Sequence, residues 1–325
     1  MSDTPWFKEP PLWTCSQRDD GRMTQLHQEL EEFYEQARPK QKDAEIRAHA
    51  LERVKLAIRA FWPSCEVKVF GSFSTGLYLP KVSDIDIVIL GSPSGTEHFR
   101  ALGAALRSSG IARHVDFIGR AKVPILKFRE DRSGIHFDVS FSLNQELRAA
   151  ELISSSLASY PCLAPLYLFL KAYVQLKQLN EVYHTGGLNS YTLFVMLYTF
   201  LQSHPNGCQA LSESGFLLAG FFHFYGVCLK VQEYGISCVS GARFFLKSQR
   251  GFMDVWKPYL LAVEDPFRPT NDIGKNSFNF PKIQATFKES YELLMFSHYN
   301  SGPFPLLNAI LPLQSSGMRL ILSKT

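Results

Sequence analysis

Residues 71–90 read GSFSTGLYLPKVSDIDIVIL, with two aspartates one residue apart at the start of a nearly uninterrupted apolar run. Residues two apart in a β-strand face the same side of the sheet. A strand over residues 83–90 therefore presents Asp84 and Asp86 on one face and buries its isoleucines on the other. This stretch predicts a sheet with one face covered by helices and one face that carries carboxylates.

A third carboxylate stands in a second strand-like segment, IHFDVSFS, where Asp138 faces away from the apolar residues on either side of it. Three aspartates on neighbouring strands repel one another unless a cation neutralises them. Oxygen ligands without histidine or cysteine suit Mg²⁺ or Mn²⁺, and two such ions can promote an in-line phosphoryl displacement. For Asp84 alone, an edge carboxylate that keeps the strand soluble is the alternative. The three aspartates together favour a site for two metal ions.

Gly71 and Ser72 follow another strand-like segment, CEVKVF. Glycine lets backbone N–H groups approach an anion closely, and a helix that begins there adds positive potential. Ser72 adds a hydroxyl donor. A Gly-Ser pair by itself carries no signal, but this pair precedes the two aspartates of the DID segment by eleven residues. In that position it predicts a turn that binds the phosphates of a nucleotide.

The spacing of apolar residues changes along the chain. Strands are expected at residues 65–70, 83–90, 123–128 and 135–142, and helices at residues 24–38, 43–62, 152–157, 165–179, 190–203, 212–229 and 283–298. The predicted fold class is α+β. The expected organisation is an N-terminal helical segment over residues 1–46, a small module with a sheet over 47–146, a mostly helical domain over 147–300 and a tail over 301–325.

The composition is that of a soluble globular protein, with 46% apolar residues, 20% charged residues and a net charge of +4. The most apolar window, residues 216–229, is too short to cross a membrane, and no membrane role is expected. The six cysteines have no metal-ligand spacing, and the N-terminus has no signal-peptide pattern. These features predict free thiols in a reducing, intracellular compartment.

Features that bind RNA are weak in the sequence. It contains no zinc knuckle, no RRM signature and no long basic run. Several basic residues are dispersed, and each is interpreted as a solvated surface charge: Arg129, Arg132, Arg148, Lys247 and Arg250.

The order of several short segments is more informative than any one of them. FGS, then DID, then a third aspartate on a separate strand are typical of the polymerase-beta-like nucleotidyltransferases. The segments FGSFSTGLYLP, SDID, VPILKF, FDVSF, LNEVYHTGGLNSYTLF, FLQSHP, FYG and VEDPFRPTNDIG follow in that order. Together they resemble the noncanonical poly(A) polymerases of the topoisomerase-related, TRAMP-type group, from about Trp6 to about His298.

The resemblance implies a nucleotidyltransferase domain with a mixed sheet and flanking helices, joined to a helical central domain. The N-terminal segment would pack on the central domain, and ATP would lie in the cleft. Asp84 and Asp86 would hold both metal ions, and Asp138 would complete the ion that activates the RNA 3′-hydroxyl. Gly71 and Ser72 would hold the triphosphate.

In the helical domain, the resemblance implies that Lys171 meets the γ-phosphate, that Ser190 binds phosphate and that Tyr191 stacks on the base. The alternative for Lys171 is a solvated helix lysine, and the alternative for Tyr191 is an ordinary buried tyrosine. A second lysine that some relatives carry one helical turn beyond Lys171 is Gln175 in this chain.

The segment VEDPFRPTNDIGK matches the nucleotide-recognition loop of the group, where Asp265 and Asp272 order the loop or contact the base edge. Asn271 stands where uridylyl-adding relatives carry a histidine. This difference favours adenine over uracil, although an asparagine can pair with either base. Two further departures are the Lys81-Val82 pair, where the group usually has one residue, and the tail after His298, which does not match.

The predicted function is template-independent transfer of AMP from ATP to RNA 3′ ends in RNA surveillance, processing or decay. The resemblance implies a zinc-knuckle RNA-binding protein and a helicase as partners, and a nuclear location. The alternatives are terminal uridylyl transfer, nucleotide transfer to a small molecule or a protein, and a non-catalytic RNA-binding or scaffold role. The presence of all three aspartates argues against the last of these.

Overall fold

The computed structural model describes residues 21–91, 95–119, 124–141, 146–204, 214–296 and 304–311. Contacts between residues divide the chain into two units. One unit is Ala37–Ser155, and the other combines Met1–Gln36 with Ser156–Thr325. The first unit is continuous in sequence, whereas the second draws on both sides of it.

The continuous unit is built on a five-stranded sheet. Its strands are β1 (Glu66–Phe70), β2 (Ile85–Leu90), β3 (Ala112–Ile118), β4 (Ile125–Glu130) and β5 (His136–Ser140). Their spatial order is β1-β2-β5-β4-β3, with β2 and β5 parallel and the other pairs antiparallel. The predicted mixed sheet and the α+β class are confirmed.

The apolar face of this sheet is covered by helices α2 (Gln41–Phe61) and α4 (Thr96–Ser108). The isoleucines of β2 are no more than 1% exposed, and they pack with Val54 and Ile58 of α2 and Leu102 of α4. Burial of these side chains stabilises the unit by roughly 2 kcal/mol for each residue. It also fixes the strand phase, so the alternate residues of β2 point to the opposite face.

The second unit is mostly helical. Its helices are α1 (Arg22–Ala37), α6 (Leu163–Leu176), α7 (Ser190–Ser203), α8 (Ser214–His223), α9 (Lys247–Arg250), α10 (Phe280–Phe296) and α11 (Pro305–Ile310). The boundary between the units falls within α5 (Glu146–Ser159). Two small hairpins are formed by β6 (Tyr234–Ser237) with β7 (Arg243–Leu246), and by β8 (Glu264–Asp265) with β9 (Arg268–Asp272).

Helix α1 belongs to this second unit through contacts with distant parts of the chain. The ring centroids of Phe33 and Phe169 are 5.3 Å apart in an edge-to-face arrangement. Arg22 Nη1 donates to the Leu294 carbonyl over 3.1 Å. The buried Glu29 carboxylate accepts the first backbone N–H groups of α11, including that of Leu307 over 2.8 Å. A carboxylate in this position satisfies donors that a helix leaves unpaired at its N-terminus.

Several local expectations differ from the structure. Asp43 is not the residue before α2, because it lies in the first turn and accepts from the Lys40 N–H over 3.0 Å. Strand β2 begins at Ile85, so Asp84 immediately precedes it. Strand β3 and helix α4 were not predicted. The helix expected over residues 212–229 is α8 followed by a π-helical turn, Phe224–Cys228.

No helix in the described part of the chain is both long and apolar enough to span a bilayer. Cys65, Cys228 and Cys238 are free thiols. Cys162 is disulfide-bonded, so the expectation of free thiols is wrong at that position. Cys15 and Cys208 lie outside the described residues.

Candidate active site

Two of the three predicted carboxylates stand side by side on adjacent strands. Asp86 of β2 is the direct partner of Asp138 in the parallel pairing with β5. Partners in register project to the same face of a sheet, here the face opposite the helices. Asp84 is one residue before β2 and its side chain is 38% exposed, whereas that of Asp138 is 16% exposed.

A lysine lies among these carboxylates. Lys127 of β4 is the register partner of Asp138, and its ammonium group donates to Asp138 Oδ2 over 2.6 Å. The same nitrogen is 3.8 Å from Asp84 Oδ2, so the two carboxylates face one another across it. Lys127 therefore neutralises part of the negative charge that three aspartates concentrate at this point.

Burial and charge act in opposite directions on this group. Burial raises the pKa of Asp138 above the ordinary value for aspartate, and the nearby charge of Lys127 only partly offsets that effect. Burial opposes the charged form of Lys127, but the aspartates outweigh it and the pKa of Lys127 lies above its ordinary value. The charged form of Asp138 therefore depends on the positive charge beside it.

Gly71 has a backbone conformation and a close neighbour that both favour glycine. Its φ of +69° lies in the left-handed region, where a side chain is strained. A Cβ atom there would also collide with the Asp86 carboxylate. The backbone of the turn thus approaches Asp86 directly. Ser72 is the next residue of the short helix α3 (Gly71–Thr75), where it is half-buried.

The segment between α3 and β2 is held by a buried arginine. Arg47 of α2 is 2% exposed, and its Nη2 donates to the carbonyls of Pro80 over 2.8 Å and Ser83 over 2.6 Å. Its guanidinium also lies 4.6 Å from the centroid of the Tyr78 ring. Burial lowers the pKa of Arg47, although an arginine this far from its pKa stays charged at neutral pH. Arg47 therefore fixes the segment that leads into Asp84.

These residues are a suitable donor set for divalent ions. The aspartates offer hard oxygen ligands with no nitrogen or sulfur ligand among them. Within the described ranges, no group of three histidine, cysteine, aspartate or glutamate side chains already has the spacing of a metal site. The ammonium group of Lys127 instead contacts the carboxylates of Asp84 and Asp138. An ammonium group held by two carboxylates shows that this point attracts positive charge.

The predicted residues of the second unit gather around the start of α7. Ser190 is the first residue of this helix, and Asn189 caps it by accepting from the Thr192 N–H over 2.7 Å. The hydroxyl of Tyr167 donates to the Ser190 carbonyl over 2.9 Å. Lys171 is half-buried one helical turn after Tyr167 on α6. Its position is therefore on the side of α6 that contacts the start of α7.

The hairpin of β8 and β9 adds the remaining residues. Asp265 is 5% exposed, and its carboxylate accepts from the Phe267 N–H over 3.0 Å and from Asn271 Nδ2 over 2.9 Å. Burial raises the pKa of Tyr191, and the nearby charge of Asp265 raises it further. The Tyr191 hydroxyl is buried without a hydrogen-bond partner in the described structure. The structure thus brings Tyr191, Asp265 and Asn271 together.

The orientation of the Asn271 amide follows from its partner. A carboxylate only accepts hydrogen bonds, so the amide nitrogen must face Asp265. The amide oxygen is then turned away from Asp265. Asp272, the next residue, accepts from the backbone N–H groups of Val263 over 2.9 Å and Gly274 over 2.8 Å. Asp272 orders the hairpin, which is the first of the two roles considered for it.

Sequence reasoning did not single out Lys127 or Arg47. A signal for Arg47 was present, because it lies four residues before Leu51 on the apolar side of α2. No comparable signal existed for Lys127, since its contact with Asp138 depends on the pairing of β4 with β5.

Two family models match the chain. Residues 26–155 match the model described as "Poly(A) RNA polymerase, mitochondrial-like, central palm domain", and residues 214–271 match "Cid1 family poly A polymerase". The polymerase core of TRAMP, an RNA surveillance complex, superposes with a TM-score of 0.78 at 30% identity over 93% of this chain and 95% of that one. This chain belongs to the noncanonical poly(A) polymerases.

Relatives within the noncanonical poly(A) polymerases differ in activity. Poly(A) RNA polymerase protein 2 of Saccharomyces cerevisiae is 34% identical over 82% of this chain and 47% of its own length. The inactive noncanonical poly(A) RNA polymerase protein Trf4-2 of Drosophila melanogaster is 37% identical over 82% of this chain and 67% of its own length. The chain spans about half the length of the yeast relative. Family membership alone therefore does not establish activity.

The Cid1 poly(U) polymerase superposes with a TM-score of 0.74 at 23% identity, over 89% of this chain and 99% of that one, and shares the fold. A mutant of Cid1 was solved with MgATP bound. The carboxylates of the sheet in this chain are oxygen ligands of the kind that Mg²⁺ takes.

Proposed function

We propose that this protein transfers AMP from ATP to the 3′ ends of RNA without a template. The observation that carries the proposal is the register of β2 with β5, which sets Asp138 beside Asp86 on the face of the sheet opposite the helices. The turn at Gly71 lies against the same Asp86 carboxylate. Carboxylates beside a turn of backbone N–H groups form the arrangement that phosphoryl transfer requires.

Each residue has one task in this proposal. Asp84 and Asp86 would hold both divalent ions, and Asp138 would help to hold the one that activates the RNA 3′-hydroxyl. The ions, when bound, neutralise charge and activate the hydroxyl. Gly71 and Ser72 hold the triphosphate through backbone and hydroxyl donors.

The residues around α7 would hold the rest of the nucleotide. Lys171 and Ser190 would bind phosphate, and Tyr191 would stack on the base. Stacking gives affinity with little discrimination between bases. Selectivity therefore falls to Asn271, whose amide is oriented by Asp265.

The decisive experiment offers each of the four nucleotides to the purified protein with an oligoadenylate primer, first with Mg²⁺ and then with Mn²⁺. We expect extension with ATP in preference to the other three. A preference for UTP would support uridylyl transfer instead. No extension with any nucleotide or metal, from protein that melts cooperatively, would place this chain with its inactive relative.

The structure also defines a test of base selection. Asn271→His removes the amide oxygen that the Asp265 contact turns away from itself, and adenine offers an amino donor for such an acceptor. We expect the ratio of ATP to UTP incorporation to fall by roughly tenfold. This is the effect of losing one hydrogen bond between uncharged groups and leaving its partner unpaired. The ratio of kcat/KM values for the two nucleotides measures it.

Asn276→His is the matched control, because Asn276 is an exposed asparagine that follows the same hairpin. The control should keep the wild-type ratio. An unchanged ratio in Asn271→His would remove Asn271 from base selection while leaving the proposed transfer reaction intact.

The remaining assignments rest on the family. The likeness to the polymerase core of an RNA surveillance complex supports a role in RNA surveillance. A zinc-knuckle RNA-binding protein and a helicase are proposed as its partners. The primer-extension assay with each ion distinguishes Mg²⁺ from Mn²⁺. The nuclear location stays a prediction.

A further inference from the structure

Basic residues that are dispersed in the sequence form a row on the face of the sheet opposite its covering helices. Arg129 of β4 pairs in register with His136 of β5 on one side and with Arg113 of β3 on the other. Register partners share a face, and His136 is two residues before Asp138, so this face is the one that carries the catalytic carboxylates. We call Arg113, Arg129 and His136 the basic row.

All three members of the basic row are exposed. Arg113 pairs with Asp131, and Arg129 donates its Nε to the Gly134 carbonyl over 3.1 Å. Arg129 forms no salt bridge with any carboxylate in the described part of the chain. One of the two arginine charges is therefore uncompensated, and a solvent-exposed guanidinium is well suited to a phosphate.

The basic row lies close to the point of chemistry. Adjacent strands are about 4.8 Å apart, so the row extends about 10 Å outward from β5. The step along β5 from His136 to Asp138 covers about 6.6 Å. Asp84, immediately before β2, lies at the level of His136 because Ile85 pairs with Phe137. The row thus ends beside the carboxylates.

Different elements of the sheet lie on the two sides of the three aspartates. The Gly71 turn follows β1, which neighbours β2 on one side. Strands β5, β4 and β3 extend from β2 on the other side and carry the basic row. If the triphosphate takes the β1 side, the RNA must approach Asp138 from the side of the basic row.

We propose that the basic row binds backbone phosphates of single-stranded RNA just upstream of its 3′ end. Arg113 and Arg129 pair with phosphate oxygens, and His136 donates a ring N–H to the phosphate nearest the reacting hydroxyl. This inference rests on the proposed transfer to RNA. In this proposal Arg129 contacts RNA, whereas the sequence alone led to its interpretation as a solvated surface charge.

The test compares Arg129→Gln with Arg100→Gln. Arg100 is an exposed arginine on α4, which covers the opposite face of the same sheet, so both variants remove one charge from one unit. Binding of a fluorescent oligoadenylate, followed by anisotropy across a series of salt concentrations, reports the phosphate contact. We expect Arg129→Gln to bind about tenfold more weakly at low salt. The slope of log affinity against log salt should become shallower by about 0.7.

Activity provides a second readout. Arg129→Gln should raise the KM for RNA and leave the KM for ATP unchanged, and Arg129→Lys, which keeps the charge, should retain the wild-type salt slope. Equal RNA affinity and salt slope in Arg129→Gln and Arg100→Gln would overturn the role of the row, as would an equal rise in both KM values. These results would leave the transfer reaction standing if the wild type extends its primer. A wild type that neither binds nor extends RNA would overturn both proposals.

Discussion

Replacing Asp138 with asparagine is expected to abolish nucleotide transfer while the protein stays folded. Asp138 is the carboxylate paired in register with Asp86, and an amide in its place cannot supply the negative oxygen that a divalent ion requires. Loss of one charged group that stabilises the transition state reduces rate on the order of a thousandfold or more. Single-turnover extension of an oligoadenylate primer with ATP measures the loss.

The fold should tolerate this change because burial already disfavours the charge of Asp138. A carboxyl whose pKa is raised in the folded state binds its proton more tightly there than in the unfolded chain. Its contribution to stability is then greatest at low pH and falls as the pH rises through the folded-state pKa. The neutral amide removes this pH-dependent cost, while Lys127 keeps its contact with Asp84. Thermal melting at neutral pH should show a midpoint close to that of the wild type.

Asp116→Asn is the matched control for Asp138→Asn. Asp116 of β3 is exposed and pairs in register with Lys127, so it lies on the same face of the sheet but away from Asp86. We expect this variant to keep wild-type transfer. Full activity in Asp138→Asn, or equal losses in both variants, would refute the metal assignment.

Gly71→Ala is the second change with a large expected effect. The left-handed φ of Gly71 costs an alanine about 1–2 kcal/mol, and the added Cβ would collide with the Asp86 carboxylate. Either the turn or Asp86 must move. A displacement of about 1 Å in an active site can cost roughly a hundredfold in rate, so we expect a loss of at least that size. Transfer rate and the free energy of unfolding from urea titration measure the two effects separately.

Gly76 provides the control that separates strain from collision. It ends α3 with a φ of +75°, and a Cβ atom there would meet nothing within 4 Å. Gly76→Ala should therefore lose a similar 1–2 kcal/mol of stability from strain but keep its transfer activity. If the two variants lose activity equally, the contact between the Gly71 turn and Asp86 has no part in catalysis.

Much of the sheet could be predicted from local patterns, and its exceptions have a physical cause. The apolar run of β2 specifies the faces of its residues, because a slip by one would bury the aspartates. Strand β3 escaped prediction because a bulge between Arg113 and Asp116, with His114 at a φ of +49°, breaks its alternation. Such an interruption removes the period of two on which the prediction depends.

At the candidate site, the sequence predicts the face of each side chain but not which side chains are neighbours. The faces of Asp86 and Asp138 follow from alternation within each strand, but their adjacency follows from which strands pair. Pairing joins residues that are distant in sequence, and the local pattern of a single sequence carries no record of it. The contact of Lys127 with Asp138 and the alignment of Arg129 with His136 depend on the same pairing. The hairpin strand β8 has two residues, too few to show any period.

The way the chain is divided between its units has a consequence for biosynthesis. A ribosome releases Ala37–Ser155 as one uninterrupted stretch, so the carboxylate-bearing sheet can form while translation continues. Helix α1 emerges earlier but cannot complete its partners until Leu294 and Leu307 have been made. Its apolar side carries Leu26 and Leu30, which are fully buried in the folded protein, and it stays incompletely covered until those segments have been made. Helix α1 is thus made before the segments that complete its native contacts, and in that interval its apolar side is suited to binding by a chaperone.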